Sequence, residues 1–148
     1  MPHFGLMDEK KLGPVEGPLQ RARLHIRAGK RRLRQGKTSA GIVTLYDALE
    51  GAMKYCLADP GRREYITVAA GENLNHERTM YTALLRGGIV DGSFDYDAFD
   101  QLVEKALYEE VGEFDYSDML AGIESVMMQL GVMPFDEAAL PPEDPETF

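Results

Sequence analysis

The residues between Glu72 and Arg78 form the densest cluster of side chains that could do chemistry. Glu72 and His76 are four residues apart, so on a helix they would lie one turn apart and could share a proton or a metal ion. Arg78 adds a cation next to them. Two ligands are too few for a metal site, so no metal is predicted. The simpler interpretation is a polar helix start that carries surface charges.

A second set of reactive side chains is cationic and lies in one predicted helix. Residues 21–37 contain eight Lys or Arg and no acidic residue. At about 100° per residue, five of these cations follow steps of four and three and share one stripe. Aligned like charges repel each other, so an anionic surface is expected to face them. The five residues are Arg23, Arg27, Lys30, Arg34 and Lys37.

Three counterparts of this basic stripe remain open. The first is the acidic half of this chain or of a second copy, the second is a nucleic acid or nucleotide phosphate, and the third is solvent alone. Arginine is more frequent than lysine here, and its planar guanidinium suits bidentate contacts with either carboxylate or phosphate. The stripe is therefore the predicted binding surface for an anionic partner.

Other polar residues fall on predicted buried elements. Asp47 and Glu50 lie on the most apolar helix, where an acid must be paired or face a cleft, and pairing with an arginine of the first helix is expected. His25 stands among arginines and is predicted to be a surface side chain. Cys56 is the only cysteine, which excludes an intramolecular disulfide and a cysteine-based zinc site; a buried, inert thiol is predicted.

Sequence motifs for catalysis or cofactor binding are missing. The chain has no Gly-x-x-x-x-Gly-Lys, no His-Glu-x-x-His and no Gly-x-Ser-x-Gly. The Glu-x-x-His motif of di-iron bundles is also absent. No catalytic residue and no cofactor is predicted, and enzymatic activity is the less favoured expectation.

The apolar periodicity predicts the elements that position these residues. The second helix carries apolar or small residues over most of its circumference and should be central. No stretch alternates like a strand, so we expect an all-α fold, a five- to six-helix antiparallel bundle with a central small-residue-rich second helix. The predicted helices run from Pro18 to Gly36, from a cap at Thr38 or Ser39 to Leu57, from Asn73 or Asn75 to Arg86, from a cap at Asp95 or Asp97 to Gly112, and from a cap at Asp115 or Ser117 to Gly131.

The bundle is flanked by two segments of different composition. Residues 1–17 contain three Gly and two Pro and are predicted to be an N-terminal arm, and residues 18–133 are predicted to be the helical bundle domain. Residues 134–148 form an acidic, Pro-rich tail that should be extended or disordered and contribute little to stability.

Charge is sorted along the chain. Residues 1–37 have a balance of +7 and residues 38–148 a balance of −16, for a net charge of −9. This net charge argues against the whole protein binding nucleic acid, although it leaves a local basic stripe possible. There is no secretory signal and no apolar run of ~20 residues, so a cytoplasmic protein without a membrane partner is expected.

The run GK-TSAGIVTLYDALEGAMKYCL, after a helix with a basic face, resembles the opening of a HEPN-type helical domain. The likeness spans roughly residues 18–130 in helix order and in the small-residue-rich second helix. It implies a four- or five-helix bundle that pairs as a dimer, as in toxin–antitoxin and nucleotidyltransferase-associated members. The ribonuclease members carry an Arg followed by a His four to six residues later. The segment from Glu72 to His76 departs from this motif, because a Glu occupies the Arg position, and no catalytic residue carries over.

Two functions are therefore open. The first is a non-enzymatic helical interaction module, homodimeric, that engages an acidic protein or a nucleic acid through the first helix. The second is a HEPN-like nucleotide-binding or ribonuclease-type enzyme with Glu72, His76 and Arg78 as its polar residues. A pocket joining residues 72–78 to Asp47 or Glu50 would favour the enzyme.

Overall fold

The computed structural model describes residues 9–147 as an assembly of helices. No strand occurs within this range, which confirms the all-α prediction. Two short 3-10 turns follow the last α-helix. The helices are α1 (Glu9–Arg34), α2 (Thr38–Ala58), α3 (Pro60–Arg63), α4 (Glu77–Arg86), α5 (Tyr96–Tyr108) and α6 (Ser117–Gln129), and the 3-10 turns are Glu137–Ala139 and Pro145–Thr147.

Helix α1 begins earlier than its sequence predicts. Residues 9–17 of the predicted arm are helical, while residues 1–8 lie outside the described range. The helix is interrupted at Gly13, whose φ of 84° lies in the left-handed region that glycine adopts without strain. Pro14 follows and suits the first turn of the next helical segment, since it has no N–H to leave unpaired.

Helices α1 and α2 form an antiparallel hairpin in close contact. The connection is three residues long, and Gly36 makes the turn with a φ of 77°. Small residues allow the two backbones to approach: a Cβ at Gly41 would lie 2.9 Å from Leu33 Cγ and 3.1 Å from Leu33 N. A Cβ at Gly29 would lie 2.8 Å from Leu45 Cγ.

Helix α2 is the central element, as predicted. It packs against α1, α3, α4, α5 and α6, and its apolar face is completely buried. The prediction that Thr38 or Ser39 caps α2 is wrong. The N-cap position is Lys37, whose side chain makes no capping hydrogen bond, and α2 begins at Thr38. The Ser39 hydroxyl instead donates to Glu109 O (3.0 Å) and accepts from Val111 N (2.7 Å), tying α2 to the segment after α5. Its fully buried side chains include Ile42, Leu45, Ala48, Leu49, Ala52, Met53 and Cys56.

The remaining helices are short and pack around α2. Helix α4 begins at Glu77, so the predicted start at Asn73 or Asn75 is too early. The Asp95 carboxylate caps α5 by accepting the N–H of Ala98 at 3.0 Å, as predicted. Helices α5 and α6 each pack against α2 but make little contact with each other.

Candidate functional site

The five residues of the predicted basic stripe lie along α1, but they have different surroundings. We call this set, together with Arg31, the basic face of α1. The N-terminal part of the face is covered by the last residues of the chain, whereas Arg34 and Lys37 at its C-terminal end are exposed. The covering segment is the tail, residues 134–147 of the described structure.

Arg23 and Arg27 contact the segment from Val132 to Pro141, which includes the first half of the tail. The Nε of Arg23 donates to the carbonyl oxygen of Val132 (3.0 Å), and its guanidinium lies over the ring of Phe135, 5.5 Å from the centroid. The two Nη atoms of Arg27 donate to Pro141 O at 2.6 Å and Glu137 O at 3.4 Å. These contacts involve backbone carbonyls and a ring face, and they hold the irregular chain around the Glu137–Ala139 turn against α1.

Arg31 makes the strongest ion pair of this face. Its Nε lies 3.2 Å from Glu143 Oε2, and its Nη2 lies 3.2 Å from Glu143 Oε1, a two-pronged geometry that only a guanidinium provides. The two side chains are 8% and 15% exposed, so water screens the pair weakly. Arg27 Nε adds a contact of 4.0 Å to the same carboxylate. Arg31 was not among the predicted stripe residues; its position four residues after Arg27 is the signal that places it beside the same partner.

Lys30 faces a different acidic residue. Its Nζ lies 3.8 Å from Glu124 Oε1 on α6. The tail and α6 thus supply the carboxylates that the sequence led us to expect from the chain's own acidic half. Sequence reasoning predicted the cations of this face but not that the tail packs on them, because it treated the tail as contributing little to the fold.

Among the described residues, neither Asp47 nor Glu50 forms an ion pair with an arginine of α1, contrary to the prediction. Glu50 binds Lys54 on its own helix at 2.7 Å, so its predicted pairing with an α1 arginine is wrong. Asp47 is half-buried, and burial raises the pKa of its carboxyl, while the charges of Arg21 and Arg32 oppose this rise. Arg32 itself donates to the Thr44 hydroxyl at 2.5 Å.

The polar cluster Glu72, His76 and Arg78 does not form a single site. Residues 64–76 are turns and irregular backbone, so Glu72 and His76 do not share a helix turn as the sequence suggested. Glu72 forms a bidentate pair with Arg86 at 2.7 and 2.9 Å, and the hydrogen bonds from Arg86 and from Ala69 N–H lower its pKa to about 2. His76 is exposed at the start of α4.

Arg78 lies on α4 and pairs with acids of α5 instead of with Glu72. It forms ion pairs with Asp97 and Asp100, and its guanidinium lies 5.4 Å from the centroid of the Tyr96 ring. Glu72 and Arg78 therefore belong to two separate ion pairs, His76 is exposed, and the structure brings no general acid and base together among these residues.

His25 and Cys56 are both buried. His25 is completely buried, so its prediction as a surface residue is wrong; its Nδ1 lies 2.8 Å from Arg21 O and carries the proton, since a carbonyl only accepts. Cys56 is buried as predicted, its thiol donates to Leu130 O at 3.1 Å, and burial raises its pKa to about 12. A thiol with such a pKa is a poor nucleophile.

The surface clefts do not support the enzyme hypothesis. Four clefts of about 380 to 500 Å³ are formed by the described residues, and none of these four joins residues 72–78 to Asp47 or Glu50. Within residues 9–147, no group of three or more His, Cys, Asp and Glu side chains is placed to hold a metal ion. In the same range no helix is both long and apolar enough to cross a membrane.

No protein-family model, curated protein or solved structure matches this chain. The candidate surface is therefore judged on its geometry alone.

Proposed function

We propose that this protein is a non-enzymatic helical interaction module, homodimeric, that binds an acidic protein segment through the basic face of α1. One observation carries the proposal. The tail of this same chain lies on that face, held by Arg23 on an aromatic ring, by Arg27 on backbone carbonyls and by Arg31 on a carboxylate.

The tail describes the chemistry of the partner. A segment that presents an aromatic side chain, then backbone carbonyls, then a Glu matches the three arginines in order. Prolines restrict the conformations of the unbound segment, so it loses less entropy on binding. A protein segment with these features would compete with the tail for the same arginines.

A peptide-binding experiment tests the proposal. We expect the chain ending at Met133, with its helical fold checked by circular dichroism, to bind a labelled peptide of residues 134–148 in a fluorescence anisotropy titration. Full-length protein should bind the peptide more weakly, because its own tail occupies the face. The same peptide with Gln in place of Glu137 and Glu143 is the matched control and should bind more weakly.

Variants locate the binding surface. Arg27→Glu and Arg31→Glu in the shortened chain should abolish binding, whereas Arg34→Glu, on the same helix beyond the tail, should leave it nearly unchanged. Equal binding by all variants would contradict the proposal. A single-stranded RNA that displaces the peptide would instead favour the nucleic-acid partner.

The homodimer is part of the proposal and rests on the HEPN-like order of helices. Leu107 and Tyr108 at the end of α5 are 60% and 84% exposed, which makes them candidates for the contact between copies. Light scattering coupled to gel filtration measures the mass directly. A monomer at all concentrations would reject the dimer without affecting the peptide-binding part.

The enzyme alternative is not favoured by any contact in residues 9–147. Glu72 and Arg78 are engaged with Arg86 and with the α5 acids. We expect no cleavage of labelled single-stranded RNA by purified protein. Cleavage that His76→Ala removes would restore the HEPN-like ribonuclease hypothesis.

A further inference from the structure

An open groove separates α5 from α6. Both helices pack on α2, yet they make little contact with each other, and a cleft of about 380 Å³ remains between them. Apolar side chains form most of its lining: Phe94, Ala98, Phe99, Leu102 and Met119.

The walls of this groove are held in place. Phe94 packs edge-on against Phe99 with ring centroids 5.9 Å apart and against Tyr81 at 6.1 Å. Gly122 of α6 leaves space in front of Phe94, because a Cβ there would lie 3.7 Å from the Phe94 ring. Phe94, Leu102 and Met119 are only half-buried, so the chain itself leaves apolar surface uncovered here.

The surroundings of the groove are strongly acidic. Asp95 and Asp118 line it, and residues 89–133 contain eleven Asp or Glu and a single base, Lys105. Such a field attracts a cationic partner and repels an acidic one.

We propose that the cleft between α5 and α6 is a docking groove for a basic amphipathic helix of a partner protein. A helix can lie along the mouth of a groove between two helices and pack its side chains into it. The apolar face of such a helix would cover Phe94, Leu102 and Met119, and its Lys and Arg would face Asp95 and Asp118. The groove shares no residue with the basic face of α1, so this proposal stands apart from the proposed function.

Designed peptides provide the probe. We expect full-length protein to bind a helical peptide of about 16 residues with Leu at positions i, i+4, i+7 and i+11 and Lys or Arg on its other faces. A peptide of the same composition with the Leu positions shuffled should bind about tenfold more weakly in calorimetric titrations, since it cannot form one apolar face.

Variants at the groove complete the test. Gly122→Leu fills the space before Phe94 and should reduce affinity about tenfold or more, while the Leu favours the helix and preserves the fold. Gly122→Ala, whose Cβ makes ordinary contact, should bind nearly as the parent does. Asp118→Lys should weaken binding, whereas Glu104→Lys, an exposed reversal on α5 outside the groove, should affect it less.

Two results would overturn the proposal. Equal affinity for the shuffled peptide would mean that surface charge alone attracts the cations. A homodimer that Gly122→Leu dissociates would mean that a second copy, and not a basic helix, covers the groove.

Discussion

Helices α1 and α2 pack closely because glycines occupy two positions where they meet. Gly29 and Gly41 lie opposite Leu45 and Leu33, so each glycine receives a leucine from the facing helix. The leucines are completely or nearly completely buried and have no free space to move into. The position of the basic face is thereby fixed relative to the core, because α1 carries both.

Gly41→Ala should destabilise the protein by about 1–3 kcal/mol, because the new Cβ would press on Leu33 Cγ and on the Leu33 backbone nitrogen. Urea denaturation measures the change. Gly112→Ala is the matched control, since no atom lies within 4 Å of its added Cβ, and it should change stability by less than about 0.5 kcal/mol. Equal effects of both variants would contradict the close packing.

Asp47 contributes a pH dependence whose sign follows from its surroundings. Burial raises its pKa, so the folded protein holds a proton on this carboxyl more readily than the unfolded chain does. Its contribution to stability is therefore favourable at low pH and declines as the pH rises through the folded pKa.

Asp47→Asn should accordingly be at least as stable as the parent at pH 7, and its advantage should shrink as the pH falls toward the ordinary aspartate value of about 4. Melting temperatures of both proteins across this range check the expectation. A less stable Asp47→Asn at pH 7 would show that the attraction of Arg21 and Arg32 outweighs the cost of burial.

At the scale of elements, the tail differs most from its expected role. Its composition is that of a segment unable to form a core, yet Phe135 and Glu143 pack on α1. These contacts join residues more than one hundred positions apart in the sequence; Arg31 and Glu143, for example, are 112 positions apart. Local periodicity cannot report such pairs.

Deletion after Met133 should lower the free energy of unfolding by about 1–3 kcal/mol, because the ion pair and the ring contact are lost together. The sequence alone led us to expect almost no change. Thermal denaturation of the shortened chain distinguishes the two expectations. A chain ending at Asp144 keeps Glu143 and should melt close to the full-length protein.

The elements that the sequence predicted well are those with long apolar periodicity. Helix α2 was predicted to be central because apolar or small residues cover most of its circumference, and its Ile42, Leu45 and Leu49 are completely buried. The prediction failed around Gly13, where the three glycines and two prolines of residues 1–17 indicated an arm although residues 9–17 belong to a helix with a kink at Gly13. Leu107 follows the four-residue spacing of Phe99 and Val103, yet this side chain at the end of α5 is 60% exposed.

The candidate site was predictable only in part, for a related reason. The cations of α1 were identified from their spacing, because helical periodicity fixes which of them share a face. The separation of Glu72, His76 and Arg78 was not predictable, because residues 64–76 lack the helical geometry that their spacing assumes. Sequence patterns report neighbours within one element and say little about neighbours from different elements.

At the scale of the whole molecule, folding brings basic residues of the N-terminal part of the chain into contact with acidic residues of the rest. The basic excess of residues 1–37 meets carboxylates of α6 and of the tail, at Lys30 and Arg31. These internal contacts spare the chain the entropy cost of recruiting a second molecule. The remaining acids lie mainly in residues 89–133, where the sequence contains few cations. They make the electrostatic potential around this part of the molecule negative.

Charge reversal at Arg27 and at Arg34 compares a position of α1 that the tail covers with one that is exposed. Arg27 is 11% exposed, and a Glu there would face the carbonyl oxygens of Glu137 and Pro141 and the Glu143 carboxylate. Arg27→Glu should therefore cost about 2–4 kcal/mol of stability. Arg34→Glu changes the net charge by the same amount but lies at an exposed position, so it should alter stability by less than about 0.5 kcal/mol.

Urea denaturation of the two variants at low and high salt measures both free energies of unfolding. Added salt should reduce the difference between these two free energies only partly, because the Arg27 contacts are shielded from water. Equal stabilities of the two variants would mean that the tail does not rest on α1 in solution.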